Sequence, residues 1–281
     1  MKVAVTGAAG FIGRHVVAQL EERGNAPVLV SRPGSPIPDG LPPDRVVPID
    51  IANAPKDAYD RLGRPDVLLH LAWGGLPNYT SPHHLEGELP AQRSFLRGLL
   101  DAGLPALTVS GTCLEYGLQS GALREEMPTA PVTAYGKAKD ALRGELERLR
   151  QLRHFNLTWA RLFYLHGKGQ APGSLLPQLE GAIARGDPSF NMSGGEQLRD
   201  YLPVDEAAGY LVDLALNGRD NGVVNVCSGQ PISVRELVEG VVARHGSSIE
   251  LNLGHFSYPD YEPMAFWGDR TKLDRCLEAG R

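Results

Sequence analysis

Tyr135 and Lys139 stand four residues apart, and this pair has the residue types of a proton-transfer site. At helical spacing the two side chains share one face of a helix. A phenol has an ordinary pKa of about 10, and a neighbouring ammonium favours the phenolate and so lowers that pKa. The spacing therefore predicts that Tyr135 gives or takes a proton near neutral pH. A surface tyrosine beside a solvated lysine is the alternative.

A hydroxyl at Thr112 supplies a second polar group upstream of this pair. It follows a short apolar segment, residues 106–110, that reads as a strand. Ligands of parallel sheets bind at the carboxyl ends of the strands. We therefore expect Thr112 to hydrogen-bond the same substrate oxygen that Tyr135 protonates.

Three glycines spaced three apart follow the first predicted strand and open a helix. Gly7 permits a tight turn, Gly10 lets phosphates approach the backbone, and Gly13 lets the helix pack closely on the strand. The free N–H groups of the first helical turn favour an anion. In this context a dinucleotide site is the prediction, and a glycine-rich turn without a ligand is the alternative. The residues of this loop assigned to the cofactor are Gly7, Gly10, Phe11, Ile12 and Gly13.

The elements that must position these residues alternate between strand and helix. Strands are predicted over residues 3–6, 26–30, 46–51, 66–73, 106–110 and 157–162, with long helices over 89–102 and 134–153. Such alternation is typical of right-handed crossovers and of a parallel sheet covered by helices on both faces. The predicted fold class is α/β, a doubly wound parallel sheet.

The pattern loosens after Phe163, where glycines separate shorter elements. Helices are expected over 204–216 and 234–245, and strands over 223–227 and 249–253. The prediction is a dinucleotide-binding domain, residues 1–163, and a smaller C-terminal lobe, residues 164–281, that binds substrate. Segments of this lobe are expected to interleave with the sheet.

Five motifs in this order resemble the extended short-chain dehydrogenase/reductase family, in its nucleotide-sugar epimerase, dehydratase and reductase branch. They are the glycine triplet, Leu71-Ala72, Thr112 before Tyr116-Gly117, Tyr135 with Lys139, and Arg199-Asp200-Tyr201 ahead of Val204-Asp205. The resemblance implies a Rossmann-type cofactor domain and a C-terminal lobe that holds a nucleoside-diphosphate sugar. It also implies a homodimer formed through helices 89–102 and 134–153.

The resemblance implies a role for each matching residue. Tyr135 would exchange the proton, Thr112 would orient the sugar oxygen, and Lys139 would tune Tyr135 while binding the nicotinamide ribose. Arg199 would meet the diphosphate, for which its fork of donors is suited; a surface arginine paired with Asp200 is the alternative. The further residues that would contact the cofactor are Asp50 and Ile51 beside the adenine, and Leu71, Ala72 and Trp73 at the end of the fourth strand.

The residues that end the second strand bear on the choice of cofactor. An NAD-preferring domain usually has an acidic residue there, which binds the ribose hydroxyls. Here Ser31 and Arg32 stand instead, and a hydroxyl and a guanidinium suit a 2′-phosphate. NADP(H) is therefore the preferred prediction and NAD(H) the alternative, in which Arg32 only opens a proline-rich loop.

Other residues near the expected site bear on which reaction of the branch the chain catalyses. Dehydratases of the branch follow the Thr112 position with an Asp-Glu pair, whereas this chain has Cys113-Leu114, which disfavours dehydration. In an epimerising reductase Cys113 could take a proton beside the ketone and His166 could return it. A buried thiol and an ordinary histidine are the preferred interpretation.

Aromatic side chains are expected at the mouth of the site. Tyr164 and His166 stand where the family often has asparagine and tyrosine, and both are assigned to the substrate with Cys113. Trp73, followed by Tyr79, His83 and His84, can stack on nicotinamide or sugar or can pack a loop.

The predicted activity is NADPH-dependent reduction of a nucleoside-diphosphate 4-keto-6-deoxy sugar to the deoxysugar. A nucleotide-sugar 4-epimerase with bound NAD is the first alternative. A non-catalytic module that senses NADP(H) is the second, and the presence of Tyr135 and Lys139 argues against it.

Composition excludes several other classes. With 28 basic and 33 acidic residues the net charge is −5, which gives no electrostatic footprint for nucleic acid. The 3 cysteines are far apart and in no metal-ligand spacing, so neither a disulfide framework nor a metal site is expected. No apolar run approaches a membrane span, and the first strand leaves no room for a leader. The expectation is a cytoplasmic protein without a membrane partner.

Overall fold

The computed structural model describes residues 1–35 and 41–279. The strands in these residues are β1 (Val3–Thr6), β2 (Val28–Ser31), β3 (Val46–Pro48), β4 (Val67–His70), β5 (Ala106–Thr112), β6 (Gly121–Leu123), β7 (Asn156–Leu162), β8 (Tyr164–His166), β9 (Ser189–Asn191), β10 (Leu198–Pro203), β11 (Gly222–Val226), β12 (Pro231–Ser233), β13 (Glu250–Asn252) and β14 (Phe266–Gly268). The α-helices are α1 (Phe11–Glu22), α2 (Ala58–Arg61), α3 (Leu89–Asp101), α4 (Ala134–Leu152), α5 (Leu175–Arg185), α6 (Val204–Leu216), α7 (Val234–Arg244) and α8 (Thr271–Glu278).

The central sheet has seven parallel strands in the order β11-β7-β5-β4-β1-β2-β3. Strands β2 and β3 lie on one side of β1, and the chain then crosses to the other side of β1, where β4 pairs with it. A crevice therefore opens between the carboxyl ends of β1 and β4, which is the ligand position of such sheets. This arrangement confirms the predicted Rossmann-like α/β fold with a parallel central sheet.

Helices cover both faces of the sheet and bury its apolar strands. On one face α1 packs against α6, and Val16 and Leu20 of α1 share a buried cluster with Leu211 and Val212 of α6. On the other face α3 and α4 pack against each other and over β5 and β7. The strands are apolar nearly throughout because both of their faces are covered.

The C-terminal part of the chain builds a third apolar cluster around α5 and α7, with β9 and β13 beside them. Strands β8, β10 and β12 form a separate three-stranded sheet. Strand β11, however, joins the edge of the central sheet beside β7. The division after residue 163 stays a prediction.

Some elements differ from the sequence-based expectation. The third strand was expected to reach Ile51 but ends at Pro48, because Asp50 caps a short 3₁₀ turn by accepting the Ala52 N–H at 3.1 Å. Helices α2, α5 and α8 were not predicted. Residues 36–40, in the proline-rich stretch after Arg32, lie outside the described residues.

The outer sides of α3 and α4 carry charged residues. Arg93 pairs with Glu145 at 2.6 Å, and Arg153 pairs with Asp101 at 2.7 Å. The homodimer expected through these two helices stays a prediction. Among the described residues no helix is both long and apolar enough to cross a membrane.

Candidate active site

The glycine loop after β1 lies against the end of β4. Gly7 has a φ of +72°, and a Cβ on it would stand 2.8 Å from the amide nitrogen of Ala72. A Cβ on Gly13 would stand 2.0 Å from the carbonyl oxygen of Gly7, so α1 can pack this close only with glycine there. Both positions therefore require glycine for close backbone approach.

The start of α1 fits the pyrophosphate of a dinucleotide. A Cβ on Gly10 would meet only the carbonyl oxygen of Gly7, at 3.1 Å, so the other side of Gly10 is open space. No side chain caps this helix, and the first-turn N–H groups at Phe11 and Ile12 remain available to an anion. The predicted cofactor residues of this loop are thus arranged around one opening.

The segment after β4 is fixed by a buried polar network. The Thr6 hydroxyl oxygen accepts the N–H groups of Leu71 and Ala72 at 3.2 and 3.3 Å. The same hydroxyl lies 2.9 Å from His70 Nδ1, and Nε2 of His70 lies 2.8 Å from Gln92 Oε1. Burial lowers the pKa of His70 to about 3, so its imidazole is neutral. This network places Leu71 and Ala72 beside the glycine loop.

Tyr135 lies in the first turn of the long helix α4 and is brought next to Thr112. Thr133 caps the helix by accepting the Gly136 N–H at 3.1 Å, and the Tyr135 N–H donates to the Tyr79 carbonyl at 2.9 Å. The Thr112 side chain acts to lower the pKa of the Tyr135 phenol, and its hydroxyl oxygen accepts the Leu114 N–H at 3.3 Å. Tyr135 and Thr112 therefore lie close together at the carboxyl end of β5.

The sequence analysis expected Lys139 to lower the pKa of Tyr135, and the structure does not bear this out. Burial raises the pKa of Tyr135 above its ordinary value, and the negative charges that Tyr79 and Glu115 can carry raise it further. Lys139 does not offset this, because its Nζ lies 5.8 Å from the centre of the Tyr135 ring and donates to the Ser110 carbonyl at 2.7 Å. In the protein without ligand the phenol is held protonated.

Lys139 is itself strongly perturbed. Its side chain is only 1% exposed, and burial lowers its pKa to about 7 against the opposing charges of Glu115 and Glu88. Its ammonium lies 4.1 Å from the centre of the Trp73 ring. Trp73, which was predicted to contact the cofactor, therefore lies directly beside Lys139.

Glu115 is a site residue that the sequence analysis missed. It is buried behind Thr112, whose N–H it accepts at 2.9 Å, and it also accepts from Trp159 at 2.9 Å and from Arg161 at 2.7 Å. These bonds fix the 3₁₀ turn Cys113–Tyr116 that follows β5. The Thr-x-x-Glu spacing, a capping box, was the available sequence signal.

A cavity of about 330 Å³ lies in the C-terminal part of the chain, and Arg199 is part of its wall. Arg199 is 2% exposed and donates to Glu262 at 3.0 Å. The alternative of a surface arginine paired with Asp200 is therefore wrong. The Asp200 carboxylate instead accepts backbone N–H groups, including those of Ser228 and Gly229 at 2.7 and 2.9 Å.

Glu262 is the second residue that the sequence analysis missed. Besides Arg199, it accepts the hydroxyl of Tyr164 at 2.6 Å, and Tyr164 lines the same cavity. No motif marks this glutamate, because it comes from the irregular stretch between β13 and β14. Its carboxylate stands where the resemblance implies a diphosphate beside Arg199.

His166 and Cys113 were also predicted to bind the substrate, but unlike Tyr164 they are not among the residues that line the cavity. His166 lies edge-on to Tyr201 at 6.4 Å between ring centres, and its pKa is lowered by burial and by the charge of Arg244. These contacts do not join it to Tyr135. Cys113 is buried in an apolar cluster, and burial raises the pKa of its thiol, so the thiol is not a base there.

The residues expected around the adenosine end lie at the edge formed by β2 and β3. The carbonyl of Ser31 accepts the Ile49 N–H at 2.8 Å, and the Arg32 side chain is exposed. The carboxylate of Asp50 caps its own turn, and Ile51 packs against the core beneath α3. Arg32 is thus the cationic side chain next to the end of β2.

The chain matches a known protein family over most of its length. Residues 3–227 match the model described as the NAD dependent epimerase/dehydratase family. The match includes the glycine loop, Thr112 and the pair Tyr135 and Lys139.

Three known proteins illustrate this similarity. The dTDP-6-deoxy-L-talose 4-dehydrogenase (NAD(+)) of Aggregatibacter actinomycetemcomitans is 28% identical, over 95% of this chain and 99% of its own length. The dTDP-6-deoxy-L-talose 4-dehydrogenase (NAD(P)(+)) of Kitasatospora kifunensis is 28% identical, over 89% of this chain and 81% of its own. The solved structure of MoeE5 in complex with UDP-glucuronic acid and NAD is 27% identical, with a TM-score of 0.83 over 99% of this chain and 93% of that one.

Proposed function

The chain belongs to the NAD dependent epimerase/dehydratase family, and from that premise we propose that it reduces the 4-keto group of a nucleoside-diphosphate 4-keto-6-deoxy sugar. The observation that carries the proposal is that Tyr135 and Thr112 lie close together at the carboxyl end of β5, with Lys139 one helical turn further along α4. A proton donor and a second hydroxyl beside a dinucleotide crevice are what reduction of a ketone requires.

The roles of the protein groups follow from their contacts. The reduced cofactor, when bound, supplies a hydride to the carbonyl carbon. Thr112 holds the carbonyl oxygen, and Tyr135 donates its hydroxyl proton to that oxygen as the C–O bond becomes single. A phenol whose pKa is raised by burial stays protonated, which suits an acid in the reductive direction.

The names of two relatives support the substrate class. Both are 4-dehydrogenases of a nucleotide 6-deoxy sugar, and the reverse of oxidation at C4 is reduction of the 4-keto group. The cavity beside Arg199 and Tyr164 offers a cation and a phenol for the nucleoside diphosphate. We extend the substrate class to this chain on these two grounds.

We propose NADP(H) as the preferred cofactor and NAD(H) as the alternative. Ser31 and Arg32 follow the pattern for a 2′-phosphate, since they stand where an NAD-preferring domain usually has an acidic residue. One relative is named for NAD(P)(+), one for NAD(+), and MoeE5 holds NAD. Use of a nicotinamide dinucleotide is common to all three.

The test supplies purified protein with NADPH or NADH and a panel of nucleoside-diphosphate 4-keto-6-deoxy sugars, and identifies the product. A reductase oxidises one cofactor for each sugar reduced. A 4-epimerase, the main alternative within this family, interconverts 4-hydroxy sugars without net change in nicotinamide absorbance. Oxidation of neither cofactor with any keto sugar contradicts the proposal.

A further inference from the structure

We propose that Trp73, held in place by His84, is the positioning residue that orients Lys139 in the active site. The inference rests on the proposed use of Tyr135 and Lys139 in catalysis. It assigns a role to the Trp73–His84 pair, the indole and imidazole that pack between the loop after β4 and the start of α4.

The indole is fixed at its N–H. Trp73 Nε1 donates to His84 Nδ1 at 3.1 Å, and His84 Nε2 donates to the Asn78 carbonyl at 2.8 Å. These partners require the neutral imidazole with its proton on Nε2. His84 is fully buried, so water does not compete for its two hydrogen bonds. The loop after β4 thereby holds the Trp73 ring in one orientation.

The fixed ring then meets both catalytic side chains. Lys139 Nζ stands 4.1 Å from the Trp73 ring centre, within range of a cation–π contact. The rings of Trp73 and Tyr135 meet edge to face at 5.9 Å, and the His84 ring lies 5.3 Å from that of Tyr135. The ammonium is thus confined between the indole face and the Ser110 carbonyl.

The charged form of Lys139 needs such support. The groups that face it are Glu115 and Glu88, which favour its proton, and the neutral His70 and Tyr135. Its burial favours the uncharged amine. The Trp73 face adds a desolvated attraction that only the ammonium feels.

The main test measures kcat for ketone reduction against pH in Trp73→Leu, Trp73→Phe and His84→Phe. In Trp73→Leu we expect the alkaline fall in kcat to move about one pH unit lower, the size of a buried cation–π contact. Trp73→Phe and His84→Phe should move the alkaline fall in the same direction but by less. Each variant keeps an aromatic ring beside Lys139 but loses the hydrogen bond between Trp73 and His84. Trp267→Leu, in β14, is the matched control and should leave the profile in place.

A second readout uses the protein without cofactor. Trp73 emission should titrate with Lys139, and this titration should disappear in Lys139→Met and Trp73→Phe. An unshifted kcat profile in Trp73→Leu, or an emission titration that survives in Lys139→Met, overturns the inference. If the wild type reduces no keto sugar, the proposed function fails and the emission titration alone decides the role of Trp73.

Discussion

The Glu262 carboxylate pairs with Arg199 in the wall of the cavity that is proposed to bind the nucleotide sugar. Arg199 donates to it at 3.0 Å and Tyr164 at 2.6 Å, so the fork that would meet a diphosphate is already occupied. A bound diphosphate must compete with Glu262 for Arg199, and it is repelled by that carboxylate. Substrate binding and the Arg199–Glu262 pair are therefore opposed.

Substitution of Glu262 by glutamine removes this competition while keeping an oxygen to accept from Tyr164. We expect Glu262→Gln to lower KM for the nucleotide sugar about tenfold, the size of one like-charge contact in a partly buried site, with kcat unchanged. Steady-state kinetics measure both. Glu239→Gln, at an exposed ion pair on α7, is the control. An unchanged or higher KM in Glu262→Gln would show that the carboxylate does not oppose the diphosphate.

Arg32 tests the cofactor assignment. Arg32→Ala should lower kcat/KM for NADPH by about 10- to 100-fold and leave that for NADH nearly unchanged, because a charge-assisted bond to the 2′-phosphate is lost. The ratio of the two values is the measurement. Arg61→Ala, at an exposed ion pair on α2, serves as control. Equal losses with both cofactors would count against a 2′-phosphate contact.

For individual residues, the sequence predicted which side chains lie close together but not how their surroundings shift their pKa values. Thr112, Tyr135 and Lys139 were expected together and are together. The pKa of the phenol shifts the other way from the expectation because burial, which the spacing does not report, outweighs a lysine that faces elsewhere. Glu262 was missed because it joins Arg199 only in the folded chain.

Among the elements, the turn from β1 into α1 depends on Gly13. In Gly13→Ala the new Cβ would stand 2.0 Å from the Gly7 carbonyl oxygen, so the loop must move. We expect stability to fall by about 1–3 kcal/mol and cofactor affinity to fall at least about tenfold. Chemical denaturation and a cofactor titration measure the two effects.

Gly98, within α3, is the matched control for this substitution. A Cβ there would meet nothing within 4 Å, so Gly98→Ala should stabilise the helix by about 1 kcal/mol. Cofactor affinity should not change. Cofactor binding by Gly13→Ala as tight as by wild type would mean that α1 does not need to approach the glycine loop so closely.

The buried network that joins β1, β4 and α3 makes stability depend on pH. The pKa of His70 is lowered to about 3 in the folded protein, below the value of about 6.5 in the unfolded chain. The unfolded chain therefore takes up the proton first, and the stability contributed by His70 is present above pH 6.5 and lost as pH falls toward 3. Between pH 6.5 and 5 the loss is about 2 kcal/mol.

Denaturation curves at several pH values test this dependence. His70→Gln should lessen the fall in stability between pH 6.5 and 5, whereas His154→Gln, near the end of α4, should keep it. A fall of the same size in wild type and His70→Gln would assign the acid sensitivity to other groups.

Regular, apolar elements were the ones that the sequence predicted. The strands of the central sheet and the long helices α3 and α4 carry continuous apolar or amphipathic patterns. Helix α2 has only four residues, too few for a helical period to be read. Strand β6 gains its partner β14 from a distant part of the chain, and no local pattern reports such a pairing.

Over the whole molecule, the proposed reaction requires two parts of the chain to meet. The crevice between β1 and β4 belongs to the N-terminal part, while the cavity at Arg199 belongs to the C-terminal lobe. Strand β11 returns to the central sheet and helix α6 packs on α1, so the two parts share one core. The sequence analysis expected segments of the C-terminal lobe to interleave with the sheet but did not identify which ones. Contacts between distant elements depend on how they pack in the folded chain, which the spacing of residues along the sequence does not report.

The most direct measurement follows a labelled hydride into the product. Protein, a nucleoside-diphosphate 4-keto-6-deoxy sugar and NADPH deuterated at C4 of the nicotinamide are mixed, and the sugar is analysed by mass spectrometry and NMR. We predict one deuterium at C4 of the sugar for each NADP⁺ formed, and a rate at least about a hundredfold lower in Tyr135→Phe. Product without deuterium at C4, or a Tyr135→Phe protein as fast as wild type, would contradict reduction with Tyr135 as the proton donor.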